Sequence, residues 1–262
     1  MNNGSSLKAP AWCMAAVFTA FTAGCGNGDT IFGAPAPGGA GGSVPGVGPI
    51  AASCNSGALP LGSASSFALL GGSALNITNP TSVVGDVGSP SITPASGVST
   101  LVGTQYDSTP ASELAVIGTA VADMTTAVGC ANARACNFSY AGATDFGGLT
   151  LAPGVHCVTG AISVGSNLTL SNPGVYIFRT TAAITSAPTV TVALAGAANA
   201  GNTAIFWVSS GGSASINATN VFLGTIMVTG GAITLGANTT LLAGRALASA
   251  AVTVDTNQIA IP

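Results

Sequence analysis

Of the 262 residues only 4% are charged: four Lys+Arg and seven Asp+Glu, with a single His. An average soluble domain carries about 25%. So few cations cannot neutralise a phosphate backbone, which excludes a nucleic-acid binder. The 48% hydrophobic content excludes a highly charged disordered chain, and the scarcity of His, Asp, Glu and Lys disfavours acid–base or nucleophilic chemistry.

Lys8, the sole lysine, precedes a mostly apolar run from Ala9 to Ala23. A basic start, a short apolar core and small residues at its end predict a secretory signal peptide over 1–24. The run is shorter than the roughly 20 residues a bilayer span needs. It ends Thr22-Ala23-Gly24-Cys25, similar to a bacterial lipobox, which predicts lipidation of Cys25. Residues 25–53, rich in Gly, Pro and Ala, read as a tether to a folded domain over 54–262. The expected location is therefore outside the cell, as a surface or outer-membrane lipoprotein or a secreted protein, with membrane contact only through the N-terminal lipid.

Cys54, Cys130, Cys136 and Cys157 lie beyond the leader. An even number in an oxidising compartment predicts disulfides, with three possible connectivities. No Cys-x-x-Cys pair occurs, and no metal or other cofactor is expected.

A helix is predicted over about 110–128. Thr109 stands where a cap belongs, Pro110 suits the first position, and Leu114, Ile117, Val121, Met124 and Val128 form an apolar stripe. Gly129 would end it.

From Ala161 the sequence alternates with period two and repeats about every 20 residues, with three short strands per period. This predicts a mainly β fold, a triangular solenoid on which the helix must pack. Stacked coils place Ile162, Ile184, Ile216, Ile233 and Val252 in an inward ladder. The next residues, Ser163, Thr185, Asn217, Thr234 and Thr253, form an outward column. A second column would hold Thr169, Thr191 and Thr240, interrupted by Phe222, and the corner would carry Asn167, Thr189, Asn220, Asn238 and Asn257.

Several motifs recur in order along the chain. They include Phe67-Ala68-Leu69-Leu70, Val84-Gly85-Asp86-Val87-Gly88 and Gly147-Gly148-Leu149-Thr150-Leu151-Ala152-Pro153-Gly154-Val155. Further on come Ile205-Phe206-Trp207, Gly224-Thr225-Ile226, Ala232-Ile233-Thr234-Leu235 and Gly244-Arg245-Ala246-Leu247-Ala248. From about Ser63 to Pro262 the chain resembles the large ice-binding protein family of bacteria, fungi and diatoms. The resemblance implies a discontinuous right-handed β-helix of triangular section with one long helix alongside. A monomer is expected, and the resemblance implies binding to an ice crystal surface, as its partner, through one flat face of the solenoid. It also implies Cys136–Cys157 pairing, which leaves Cys54–Cys130. His156 stands where the family commonly has Tyr.

Active members of the family show Thr-Ala/Gly-x-Thr/Asn steps. Here the related steps are Ser186-Ala187-Pro188-Thr189, Asn217-Ala218-Thr219-Asn220 and Leu235-Gly236-Ala237-Asn238. The candidate ice-binding residues are thus Thr185, Ser186, Thr189, Thr191, Asn217, Thr219, Asn220, Thr234, Asn238, Thr240, Thr253 and Thr256.

Two other readings compete. The solenoid could be an adhesive surface module, or it could bind polysaccharide through Tyr176, Phe178, Phe206 and Trp207, although these read as core. For catalysis, His156 is the sole imidazole, and Asp86, Asp107, Glu113, Asp123, Asp145 and Asp255 are scattered. Arg245 reads as structural, bonding carbonyls or Asp255. Asn76, Asn137, Asn167, Asn217 and Asn238 begin Asn-x-Ser/Thr sequons but read as ladder residues.

Overall fold

The computed structural model describes residues 54–94 and 97–262; the signal, Cys25 and the tether lie outside the described residues. Short parallel strands stack in register to form three faces of a β-solenoid. The first face is an eight-stranded sheet ordered Ile92–Thr93, Ala74–Ile77, Ala251–Val254, Ile233–Leu235, Ala214–Ile216, Ile184–Ser186, Ile162–Val164 and Thr144–Asp145. Its inward residues are apolar because the interior is dry: Leu75, Val252, Ile233, Ala214, Ile184 and Ile162 are all buried.

The second face carries the helix. Its strands run Gln105–Tyr106, Asp86–Gly88, Phe67–Gly71, Thr240–Ala248, Val221–Val228, Thr203–Ser209, Gly174–Thr180, Gly154–Val158 and Phe138–Tyr140. Here outward residues are apolar as well, since Val155, Ile177, Phe206, Val208, Met227 and Leu247 lie beneath the helix. This explains the third, uniformly apolar strand of each repeat.

The stack is assembled out of chain order. Residues 67–106 build coils at one end, and the helix α1 (Ala111–Ala133) then crosses to the other end. From Phe138 the chain winds back until Ala251–Val254 pairs with Ala74–Ile77. Nine strands on the helix face span eight steps of about 4.8 Å, roughly 38 Å. A helix of 23 residues is about 34 Å long. The helix is therefore a strut matched to the height of the stack.

α1 differs from expectation at both ends. Its N-cap position is Pro110, with no side-chain cap, and it runs through Gly129 to Ala133. Gly129 is tolerated because it points outward, with nothing within 4 Å of where a Cβ would sit. Leu114 is exposed, and the buried stripe is Ile117, Ala120, Met124, Ala127, Val128, Cys130 and Ala131. The alanines let the helix lie close to the sheet. By length and composition α1 could cross a membrane, yet its buried stripe packs on the solenoid.

Two disulfides and two arginines tie the helix down at its C-terminal end. Cys54 pairs with Cys130 and Cys136 with Cys157, at Cα separations of 4.9 and 5.8 Å. Arg134 donates to the carbonyls of Cys54, Ser56 and Gly57. Arg179 donates to the carbonyls of Ala131 and Asn132, where a cation suits the helix dipole.

Inside the stack, aromatic rings form a continuous ladder. Trp207 stacks on Phe178 at 4.2 Å and packs against Phe222 at 4.9 Å. His156 stacks on Phe178 at 4.9 Å and on Phe138 at 4.5 Å. Nε2 of His156 donates to the Ala152 carbonyl at 3.0 Å, so Nδ1 accepts from the Tyr140 hydroxyl at 3.1 Å. Burial holds the imidazole below its usual 6.5, outweighing the opposite pull of the Ala152 carbonyl. The unfolded chain takes up a proton as pH falls through 6.5 while the folded chain resists it, so stability should decline below about pH 6.5. The Asp145 carboxylate acts lower: backbone N–H groups of Gly147 and Gly165 depress its pKa, so its contribution is lost only below the ordinary carboxylate range. Denaturation midpoints at pH 7.5 and 5 check this. His156→Tyr should flatten that interval, and an unchanged pH dependence would dismiss His156 as its source.

Candidate functional site

Among the described residues no helix covers the eight-stranded first face. Register places one outward column across it: Thr93, Asn76, Thr253, Thr234, Ser215, Thr185, Ser163 and Asp145. Beside it stand the residues preceding each inward side chain, namely Ala74, Ala251, Ala232, Ser213, Ala183 and Ala161. Small hydroxyl, amide and methyl groups therefore repeat over about 34 Å, at seven steps of roughly 4.8 Å. Charge enters the column only at its edge strand, where Asp145 Oδ1 accepts from Gly147 N and Gly165 N, both at 2.8 Å.

Of the candidates, Thr185, Thr234 and Thr253 lie in this column. Ser215, not Asn217, fills the coil between Thr185 and Thr234, because Ala214 rather than Ile216 pairs with Ile184 and Ile233. Asn217 lies just past that strand, exposed, with Nδ2 donating to the Ser186 carbonyl at 2.6 Å.

The corner leading to the third face holds a second, exposed column. Thr189, Thr219, Asn238 and Thr256 have φ of 61, 59, 59 and 53°. Positive φ is uncommon for non-glycine residues and unfavourable for β-branched Thr. It persists because the turns hydrogen-bond coil to coil: Thr189 N donates to Ala218 O, Thr219 N to Ala237 O and Asn238 N to Asp255 O.

Behind this ledge is a buried polar ladder that accounts for two more candidates. Asn220 is 1% exposed; its Oδ1 accepts from Val190 N, and its Nδ2 donates to Ser186 Oγ and the Ala187 carbonyl. Ser186 is 4% exposed. Both side chains are spent on turn amides and carbonyls, so neither reaches a surface ligand. Thr239 does the same one coil on and Asn257 two coils on. The predicted corner thus divides into an outer row and a buried inner row.

The third face is built from Thr150–Leu151, Leu168–Leu170 and Val192–Leu194. It is continued by the first residues of the two long strands, Val221–Leu223 and Thr240–Leu242, before their bulge turns them into the helix face. Thr191 and Thr240 sit there, around the corner from the first face. Thr169 is not in their column: it pairs with Thr150 and Ala193, whereas Thr191 bridges to Val221, which pairs with Thr240. Phe222 points inward and interrupts nothing.

Sequence reasoning missed Ser215, Asn76 and Thr93 as members of the first-face column. The alternation Ala74-Leu75-Asn76-Ile77 matches Ala232-Ile233-Thr234-Leu235 and was the available signal.

Among the described residues no group of three or more His, Cys, Asp or Glu is placed to hold a metal. The carboxylates serve backbone or amide donors: Asp86 accepts from Thr104 N, Asp123 from Ser63 N and Asp255 from Asn79 Nδ2.

A family model described as ice-binding-like matches residues 69–260. The chain belongs to the ice-binding-like family. It is similar to an ice-binding protein of Flavobacterium frigoris (strain PS1), 30% identical over 214 residues, covering 77% of this chain and 76% of that one. Among solved structures it is similar to an ice-binding protein from an Antarctic biological consortium, with 32% identity and a TM-score of 0.69. That match covers 79% of this chain and 93% of that one. The ice-binding protein of the Antarctic ascomycete Antarctomyces psychrotrophicus matches at 26% identity and a TM-score of 0.68, over 78% and 98% of the two chains. The family is ice-binding rather than enzymatic.

Proposed function

We propose that this protein adsorbs to ice through the eight-stranded face and thereby inhibits ice growth and recrystallisation. The observation that carries the reading is that face's column of Thr, Ser and Asn, seven residues long before Asp145 at the edge, with a row of Ala and Ser beside it. Ice offers no charge to pair with, and a charged side chain holds its own water tightly. Thr presents a methyl group that disfavours disordered water and a hydroxyl that joins an ordered layer. A rigid array loses little entropy on binding, and its repeats act together. The exposed corner row of Thr189, Thr219, Asn238 and Thr256 extends the array at its border.

The protein acts outside the cell as a monomer, held by lipid on Cys25 and the tether, and it has no enzymatic activity. A polysaccharide platform has little support, since Tyr176, Phe178, Phe206 and Trp207 are buried. Purified protein at micromolar concentration is expected to give thermal hysteresis and to block recrystallisation. No effect in either assay rejects the proposal.

A further inference from the structure

Where the helix face turns into the third face, a cleft of about 490 Å³ opens. Its wall is mostly apolar, with Leu61, Val175, Leu194, Ile205 and Phe206 around one cation, Arg245. Such a volume is that of a small-molecule site. A β-bulge lines the opening: Leu223 pairs with Leu242 and Thr225 with Arg245, so Ala243 and Gly244 face the single residue Gly224. Gly224 has φ of 96°, and a Cβ there would fall 2.5 Å from that of Ile205. Ala243 has φ of 43° without being glycine. Bulges re-aim side chains, and strained backbone of this kind gathers at sites of function.

Arg245 is the residue re-aimed. Its Nε and Nη2 both donate to the Ser65 carbonyl, at 2.9 and 2.7 Å, and Nη1 makes a long contact of 3.4 Å to Thr225 Oγ1. Three of its five N–H groups are thus engaged and two remain. Of the two partners expected from the sequence, carbonyls or Asp255, it takes a carbonyl, while Asp255 accepts from Asn79 and Thr256. The other cations of the domain, Arg134 and Arg179, hold the C-terminal end of the helix.

We infer that this cleft binds a single-chain aliphatic carboxylate, such as a fatty acid, with its head on Arg245 and its chain along the apolar wall. One planar guanidinium matches one carboxylate, whereas a phosphate monoester carries a second charge with no second cation to meet it. The cleft is off the eight-stranded face, so the inference stands independently of ice adsorption.

Calorimetric titration of the protein with decanoate, decanol and decyl phosphate tests it. Saturable 1:1 binding of decanoate is expected, at least tenfold tighter than decanol and than decyl phosphate. Ala200→Trp, a substitution on an exposed turn at the rim, should abolish binding without changing the melting temperature. Arg245→Gln should weaken decanoate at least tenfold and leave decanol unchanged. Failure of decanoate to saturate, decanol or decyl phosphate binding as tightly as decanoate, or undiminished binding by Ala200→Trp would each overturn the inference. The rim variant decides if Arg245→Gln does not fold.

Discussion

Thr234→Tyr is expected to abolish thermal hysteresis, lowering it at least tenfold at equal concentration, without moving the melting temperature. Thr234 is exposed, and its strand lies fourth of eight across the first face. A phenol ring there stands well above its neighbours Ser215 and Thr253. Parallel strands fixed at about 4.8 Å cannot bend to restore contact, so one protrusion disengages the residues around it as well. Cooperative adsorption by many weak contacts fails together for the same reason. The fold is insensitive because the side chain is outside the core, where substitutions usually stay within about 0.5 kcal/mol. Thr240→Tyr, on the third face, is the control and should retain activity. The opposite result, with Thr240→Tyr silent and Thr234→Tyr active, would move the ice surface around the corner.

Trp207→Ala should cost about 3–5 kcal/mol, the usual range for a large aromatic removed from a core. Trp207 is fully buried between Phe178 and Phe222, and its indole N–H donates to the Leu223 carbonyl at 2.9 Å. The substitution leaves a void and an unsatisfied carbonyl together. For a domain of this size each kcal/mol shifts the melting temperature by about 2–4 °C, so a fall of roughly 6–20 °C is expected by circular dichroism. A change under 2 °C would mean that the aromatic ladder carries little of the stability.

These two residues also mark what was legible in the sequence. The period-two alternation identified inward and outward residues and hence the exposure of Thr185, Thr234 and Thr253. Register was harder. A one-residue slip exchanges core and surface and is obvious, but a two-residue slip keeps every side chain on its face. That is why Asn217 was aligned where Ser215 belongs. The coil leading to Ala214 is lengthened by the turn around residues 195–202, which disguised the slip. Exposed and buried Asn look alike in a sequence, since both favour turns. Only the neighbouring amides distinguish Asn220, bonded to Val190 and Ser186, from Asn238 on the rim. The helix's existence followed from its stripe, but its end did not, because Gly129 weakens a helix without having to stop it. That Asn76 and Thr93 join the same column as Thr253 depends on the N-terminal strands returning to the last coil, a pairing across about 177 residues that no local pattern encodes.

The strut that spans the stack also sets a rule for how such a molecule can change size. Duplicating one coil would raise the stack by about 4.8 Å, while each helical residue adds about 1.5 Å. A lengthened solenoid therefore needs roughly three extra residues in the helix, inserted elsewhere in the gene. Those residues would rotate the helix by about 300°, close to a full turn, and leave the buried stripe nearly in phase. Growth by single coils is thus open to this architecture, but only as paired insertions.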